Sequence, residues 1–142
     1  MNWAELKDVA AWASAIIALC AFLFATYTAW QADLSRQWEV FDRIYRRIVD
    51  LEEKFLTASA GGITSAAALA WRVSFLNALE YLAFLVNARH IRDPQLKKYL
   101  ESPVLVWYAT IFLNYASSED VTNPDVYREL KLWVTLIQTG DR

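Results

Sequence analysis

Cysteine occurs once in this chain of 142 residues, at Cys20, and histidine once, at His90. One thiol excludes a disulfide framework within the chain, and one imidazole excludes a histidine-rich metal site. Glycine and proline number three each, too few for the turns of a multi-stranded sheet. There is no glycine-rich phosphate loop, nucleophile motif or set of paired metal ligands. Neither Ser74 nor Ser102 has a histidine at a suggestive spacing, and His90, in NARHIRD, reads as a surface or capping residue. The expectation is a protein that is not an enzyme and needs no cofactor or metal. A surplus of cations is also missing. The net charge of -2 leaves no electrostatic footprint for nucleic acid, and no DNA-binding motif occurs.

What the chain has in plenty is apolar surface, at 56% of residues against about 45–50% in soluble domains. With glycine and proline scarce and alanine and leucine abundant, the composition predicts an all-α fold.

Residues Val9 to Trp30 carry no charged side chain. As a helix this run is about 33 Å long, enough for the roughly 30 Å hydrocarbon core of a bilayer. Trp12 lies near one end, and Tyr27 and Trp30 at the other, where interfacial aromatics belong. The leader MNWAELKD has no basic region, and the apolar run is long for a signal peptide. The run is therefore expected to be an uncleaved transmembrane anchor. Only Lys7 precedes it, whereas Arg36, Arg43, Arg46 and Arg47 follow. Counting basic residues puts the N-terminus outside and the C-terminal part in the cytoplasm of a bacterial inner membrane.

Beyond the span, Leu34, Trp38, Phe41, Tyr45, Ile48, Leu51 and Phe55 recur at spacings of three and four, the stripe of an amphipathic helix. Nothing breaks this pattern from the span, so one long helix is expected to pass from membrane to cytoplasm. Gly61-Gly62 should end it, with Thr64 or Ser65 capping the next helix. That helix, Ala66 to Ala88, is apolar but holds Arg72, Asn77 and Glu80. Charge at mid-membrane costs about 2.5–3.5 kcal/mol per residue, which favours a buried helix over a second span. Asp93-Pro94, Ser102-Pro103 and Asn123-Pro124 each pair a capping residue with proline, and each predicts a helix start. PVLVWYATIFLNYA, apolar nearly all round, reads as the core helix. The last helix would bury Val126, Leu130, Trp133 and Ile137. The organisation expected is residues 1–32 as tail and transmembrane helix, then 33–142 as a cytoplasmic bundle of about five helices.

Two groups of residues stand out as candidate sites. Arg72, Asn77, Glu80 and Asn87 lie on the apolar second helix. A buried carboxylate there needs a partner, and Arg72 or Arg89 could supply one. The cluster is either an internal polar network or a ligand or trigger pocket. The second group is Ala11, Ser14, Ala18, Ala21, Ala25, Thr28 and Ala32, an all-small stripe at spacings of three and four along the span. Helices associate in lipid through such faces because they let backbones approach. A 3.5-residue period suits a left-handed bundle. The stripe predicts a homo-oligomer with one span per chain. In a ring of roughly four or more chains it would line a lumen, with Ser14 and Thr28 its hydroxyls and the alanines a constriction that can dewet. In a smaller assembly it would be a packed seam. A non-conducting anchored adaptor that recruits a protein partner is the alternative.

The stretch FLNALEYLAFLVNARHIRDPQLKKYLESPVLVWYATIFLNY resembles a family of small bacterial membrane proteins with one N-terminal span and a compact cytoplasmic helical domain. In that family an FLN-x-x-E-like helix leads through an acidic-proline turn to a helix carrying a tryptophan. The matching residues are Phe75, Leu76, Asn77, Glu80, Asp93, Tyr99 and Trp107, within a likeness covering residues 33 to 140. Some members of the wider class are membrane effectors of antiphage defence. These include the pore-forming accessory protein of an RNA-targeting CRISPR type and the membrane partner of Hailong-type nucleotidyltransferase systems. The resemblance implies an oligomer that permeabilises or depolarises the inner membrane, with the lipid bilayer and its own copies as partners. It also implies control by a defence-system partner or by a nucleotide or nucleic-acid signal. It carries no catalytic residues over to this chain.

Overall fold

The computed structural model describes residues 3–60 and 66–140. The fold is all-α, and no strand occurs among the described residues. The helices are α1 (Trp3–Ala60), α2 (Ala66–Asn87), α3 (Pro94–Trp107), a π-helical turn (Tyr108–Phe112), α4 (Leu113–Tyr115), α5 (Ser118–Thr122) and α6 (Arg128–Thr139). The chain divides into two compact units, Met1–Arg36 and Gln37–Arg142. The Gly61-Gly62 turn and the Thr64 or Ser65 cap fall outside the described residues.

In the first unit, α1 is long and apolar enough to cross a membrane. Its most apolar window has 0% of its residues buried.

The core belongs to the second unit. From α1 it takes Phe41, Ile48, Leu51 and Phe55, four of the residues in the sequence stripe, while Tyr45 packs half-buried against it and Trp38 stays exposed. Tyr45 stacks on Phe41 at 5.5 Å and tilts against Trp107 at 5.9 Å. The Trp107 indole N–H donates to the Glu52 carboxylate at 2.9 Å, fixing α3 against α1. Burial, helped by Tyr99 and Glu52, raises the pKa of the Tyr45 phenol above its ordinary value.

α2 also passes the length and composition test for a span, but 39% of its most apolar window is buried. Phe75, Leu76, Leu79, Leu82 and Ala83 face the core, as a core helix requires. It ends in a Schellman arrangement. Arg89 takes the left-handed conformation (φ 60°), and its N–H reaches the Val86 carbonyl at 3.2 Å while that of His90 reaches Leu85 at 2.9 Å.

Asp93-Pro94 does start a helix. The Asp93 carboxylate accepts the Gln95 amide at 2.8 Å, and proline holds the first position. Ser102-Pro103 does not, because α3 runs through Pro103. Leu96, Leu100, Val104 and Trp107 are all buried on one continuous face. Their burial outweighs the roughly 3 kcal/mol that an interior proline costs. Pro103→Ala should therefore stabilise the domain, by up to about 3 kcal/mol, read as a higher urea midpoint.

The helix expected after Pro103 is in fact the second part of this rod. The π turn follows α3 directly, with the Leu113 amide reaching back to the Tyr108 carbonyl. The extra residue in that turn lets the adjacent Ile111 and Phe112 both be buried. The Asn114 side chain donates to the Ala109 and Thr110 carbonyls at 3.2 and 2.9 Å. The rod is not buried all round, since Val106 and Leu113 are exposed.

Asn123-Pro124 also fails to start a helix. The Asn123 side chain accepts the Asp125 amide at 3.0 Å, making a turn. Tyr127 then adopts φ 51°, and α6 begins at Arg128. Leu130, Trp133 and Val134 are buried there, while Val126 and Ile137 are half-buried.

Candidate functional site

In the first unit, Ala11, Ser14, Ala18, Ala21, Ala25, Thr28 and Ala32 are all exposed. So are the bulky residues off the stripe, among them Ile16, Leu19 and Phe24. The Ser14 hydroxyl donates to the Ala10 carbonyl at 2.8 Å and that of Thr28 to Ala25 at 2.9 Å. Each hydroxyl is thus satisfied within its own helix and still has acceptor lone pairs for water or a neighbour. At the far end of the apolar run, Gln31 donates to the Tyr27 hydroxyl at 2.7 Å, and the Trp30 ring lies 6.1 Å from that of Tyr27.

In the second unit the polar residues of α2 separate by task. Glu80 is half-buried, and its partners are backbone amides rather than Arg72 or Arg89. Its two carboxylate oxygens accept the N–H groups of Glu129 at 3.0 Å and Leu130 at 2.8 Å. These are the second and third residues of α6, whose amides a local N-cap side chain would normally take. Tyr127 stands in that place and supplies no such bond. Glu80 caps α6 from another helix, adding negative charge at its positive end.

Asn87, two turns along α2, donates to the Glu129 carbonyl at 3.0 Å and to the Glu129 carboxylate at 2.8 Å. Arg72, two turns the other way, donates to the Tyr115 carbonyl at 2.6 Å, at the end of α4. Its Nε is buried without a hydrogen-bond partner. Lys131 completes the set from α6, donating to the Asp120 and Asn123 carbonyls at 2.6 and 2.7 Å around the end of α5. Burial raises the pKa of Tyr127 in their midst. Asp120 and Glu80 add to the shift, and Arg72 opposes it.

Asn77 takes no part in this network. It is exposed and lines a groove of about 450 Å³ between α1 and α2, with Arg43, Arg47, Ser74 and Tyr81. A second groove, of about 470 Å³, lies between the α2–α3 turn and α6, lined by Arg89, Arg92, Lys97, Glu101 and Trp133. Neither holds an imidazole beside a hydroxyl. His90 is exposed, with its ring 6.0 Å from that of Phe84. Among the described residues no three His, Cys, Asp or Glu side chains gather as a metal would need.

Family models, characterised proteins and solved structures give no match to this chain. Its functional reading rests on the residues themselves and on the motif resemblance above.

One organising residue escaped the sequence reading. Gln37 is buried (8% exposed), and its side-chain oxygen accepts the amides of Arg92 at 2.8 Å and Asp93 at 3.2 Å. The available signal was its register. It lies four residues before Phe41, and a polar residue at a core position of a helix calls for a buried partner.

Proposed function

We propose that this chain is a homo-oligomeric membrane effector of the bacterial inner membrane. The apolar run of α1 spans the bilayer once, with its N-terminus outside and the helical domain in the cytoplasm. Copies pack through the small stripe, and the assembly forms a channel or pore that depolarises or permeabilises the membrane. The cytoplasmic domain gates it. The motif resemblance adds antiphage defence as the setting.

The observation that carries this reading is the exposed stripe from Ala11 to Ala32 on a helix with no buried residue in its most apolar window. Lipid accounts for the bulky faces of that helix, but a face of alanines gains most from close contact with another helix. The absence of charge along the run makes any lumen apolar, so it would open and close by wetting.

The adaptor reading is supported by the groove that holds Arg43 and Arg47, a surface suited to an acidic protein partner.

Conductance of the full-length protein in a planar bilayer separates the two. Stepwise currents are expected from the effector. A stable oligomer in detergent that carries no current, even when co-expressed with its genomic neighbours, would leave the adaptor.

A further inference from the structure

The turn between α2 and α3 gathers positive charge. Arg89, Arg92, Lys97 and Lys98 lie within ten residues, and all but Lys97 are exposed. The carboxylate inside this stretch, Asp93, is occupied in capping α3. The Arg92 Nε–H donates to the Arg89 carbonyl at 3.0 Å, and neither arginine makes an ion pair among the described residues. Glu101 is the one acid among the described residues that line the adjoining groove.

The position of this turn gives the charge a meaning. Gln37 holds its backbone through the Arg92 and Asp93 amides, and Gln37 is the first residue of the second unit. It comes seven residues after Trp30, the end of the uncharged run. Seven residues of chain reach at most about 25 Å, so the turn lies at the end of the second unit that the chain tethers to the apolar run. Exposed aromatics lie close by. Trp38 (44% exposed) and Tyr99 (59% exposed) both set their rings against Phe41, at 5.9 Å. Basic and aromatic side chains together are the composition of a membrane–water interface.

We infer that the α2–α3 turn is a docking surface for anionic phospholipid headgroups, with Arg89, Arg92 and Lys98 contacting lipid phosphates. The inference rests on the reading that the run up to Trp30 spans the bilayer. A lipid surface fits better than one soluble anion because these cations are exposed and spread over a turn rather than converging on a point. Docking would hold the cytoplasmic domain against the membrane and make its release sensitive to lipid charge and salt.

The test uses the full chain with Cys20→Ser and His90→Cys, labelled at position 90 with an environment-sensitive dye. The protein is reconstituted into phosphatidylcholine vesicles with or without roughly one-third phosphatidylglycerol. A blue-shifted signal is expected only in the anionic vesicles. It should be reversed by about 0.5 M sodium chloride and weakened at least about fivefold by Arg89→Gln with Arg92→Gln. Alkaline carbonate extraction is run in parallel. If the chain is extracted, the spanning reading itself fails. If it stays inserted and the dye reports the same surroundings in both vesicles, docking fails alone. Inorganic phosphate that abolishes the signal where sodium chloride of equal ionic strength does not would also overturn the inference, in favour of a discrete phosphate pocket.

Discussion

Glu80→Ala should destabilise the helical domain by about 2–4 kcal/mol, the loss of two hydrogen bonds to a charged acceptor. For a domain of this size that is a fall of roughly 10–20 °C in Tm. The amides of Glu129 and Leu130 would lose their acceptor, and Tyr127 offers no substitute cap. Glu80→Gln should be milder, because its carbonyl oxygen still serves one amide while its NH₂ faces the other. Far-UV circular dichroism during thermal and urea unfolding measures both. A loss below about 0.5 kcal/mol for the alanine variant would mean that water replaces the carboxylate at these amides. The same pair addresses the trigger reading of the cluster. If Glu80→Gln keeps its fold but its membranes stay polarised, Glu80 takes part in gating. If activity falls only in step with stability, its role is structural.

Ala21→Leu is expected to abolish stepwise currents and to break up the oligomer in detergent. Ala21 lies at the middle of the small stripe and is exposed in the single chain. A leucine there separates two backbones that alanine lets meet, whether the stripe is a seam or a pore lining. In a lumen it would also narrow the apolar constriction. Toxicity on expression should disappear with the current. Ile16→Leu, off the stripe and close in volume, should leave both unchanged. An Ala21→Leu protein with the parental oligomer size and current would remove the stripe from the mechanism.

The signals in this sequence were unequally legible. Apolar spacing was reliable. The stripe from Phe41 to Phe55 and the face of α6 around Leu130 and Trp133 are the residues the core uses, because burial scales with apolar area wherever it falls on a helix. Proline was reliable only where its neighbours agreed. Asp93-Pro94 began a helix with its cap in place. At Pro103 four buried side chains in one row overrode the local signal, and at Asn123 the cap closed a turn instead. The polar residues of α2 were found, but their partners were not. Arg72, Glu80 and Asn87 bind backbone groups 42 to 50 positions away. Backbone N–H and C=O groups are present at every residue, so no side-chain pattern marks which of them will be left open at a helix end.

The three polar side chains that α2 sends to its neighbours also bear on how the domain comes apart. A helix of 12 residues whose own N-cap residue makes no side-chain bond would ordinarily fray at its start, opening and closing many times for each global unfolding. Here the amides that frayed ends expose are held by a carboxylate on a core helix. The start of α6 should exchange its hydrogens with solvent as slowly as the middle of α2, so that both helices open as one cooperative unit. A signal that reaches α6 would then register on α2 without any hinge between them.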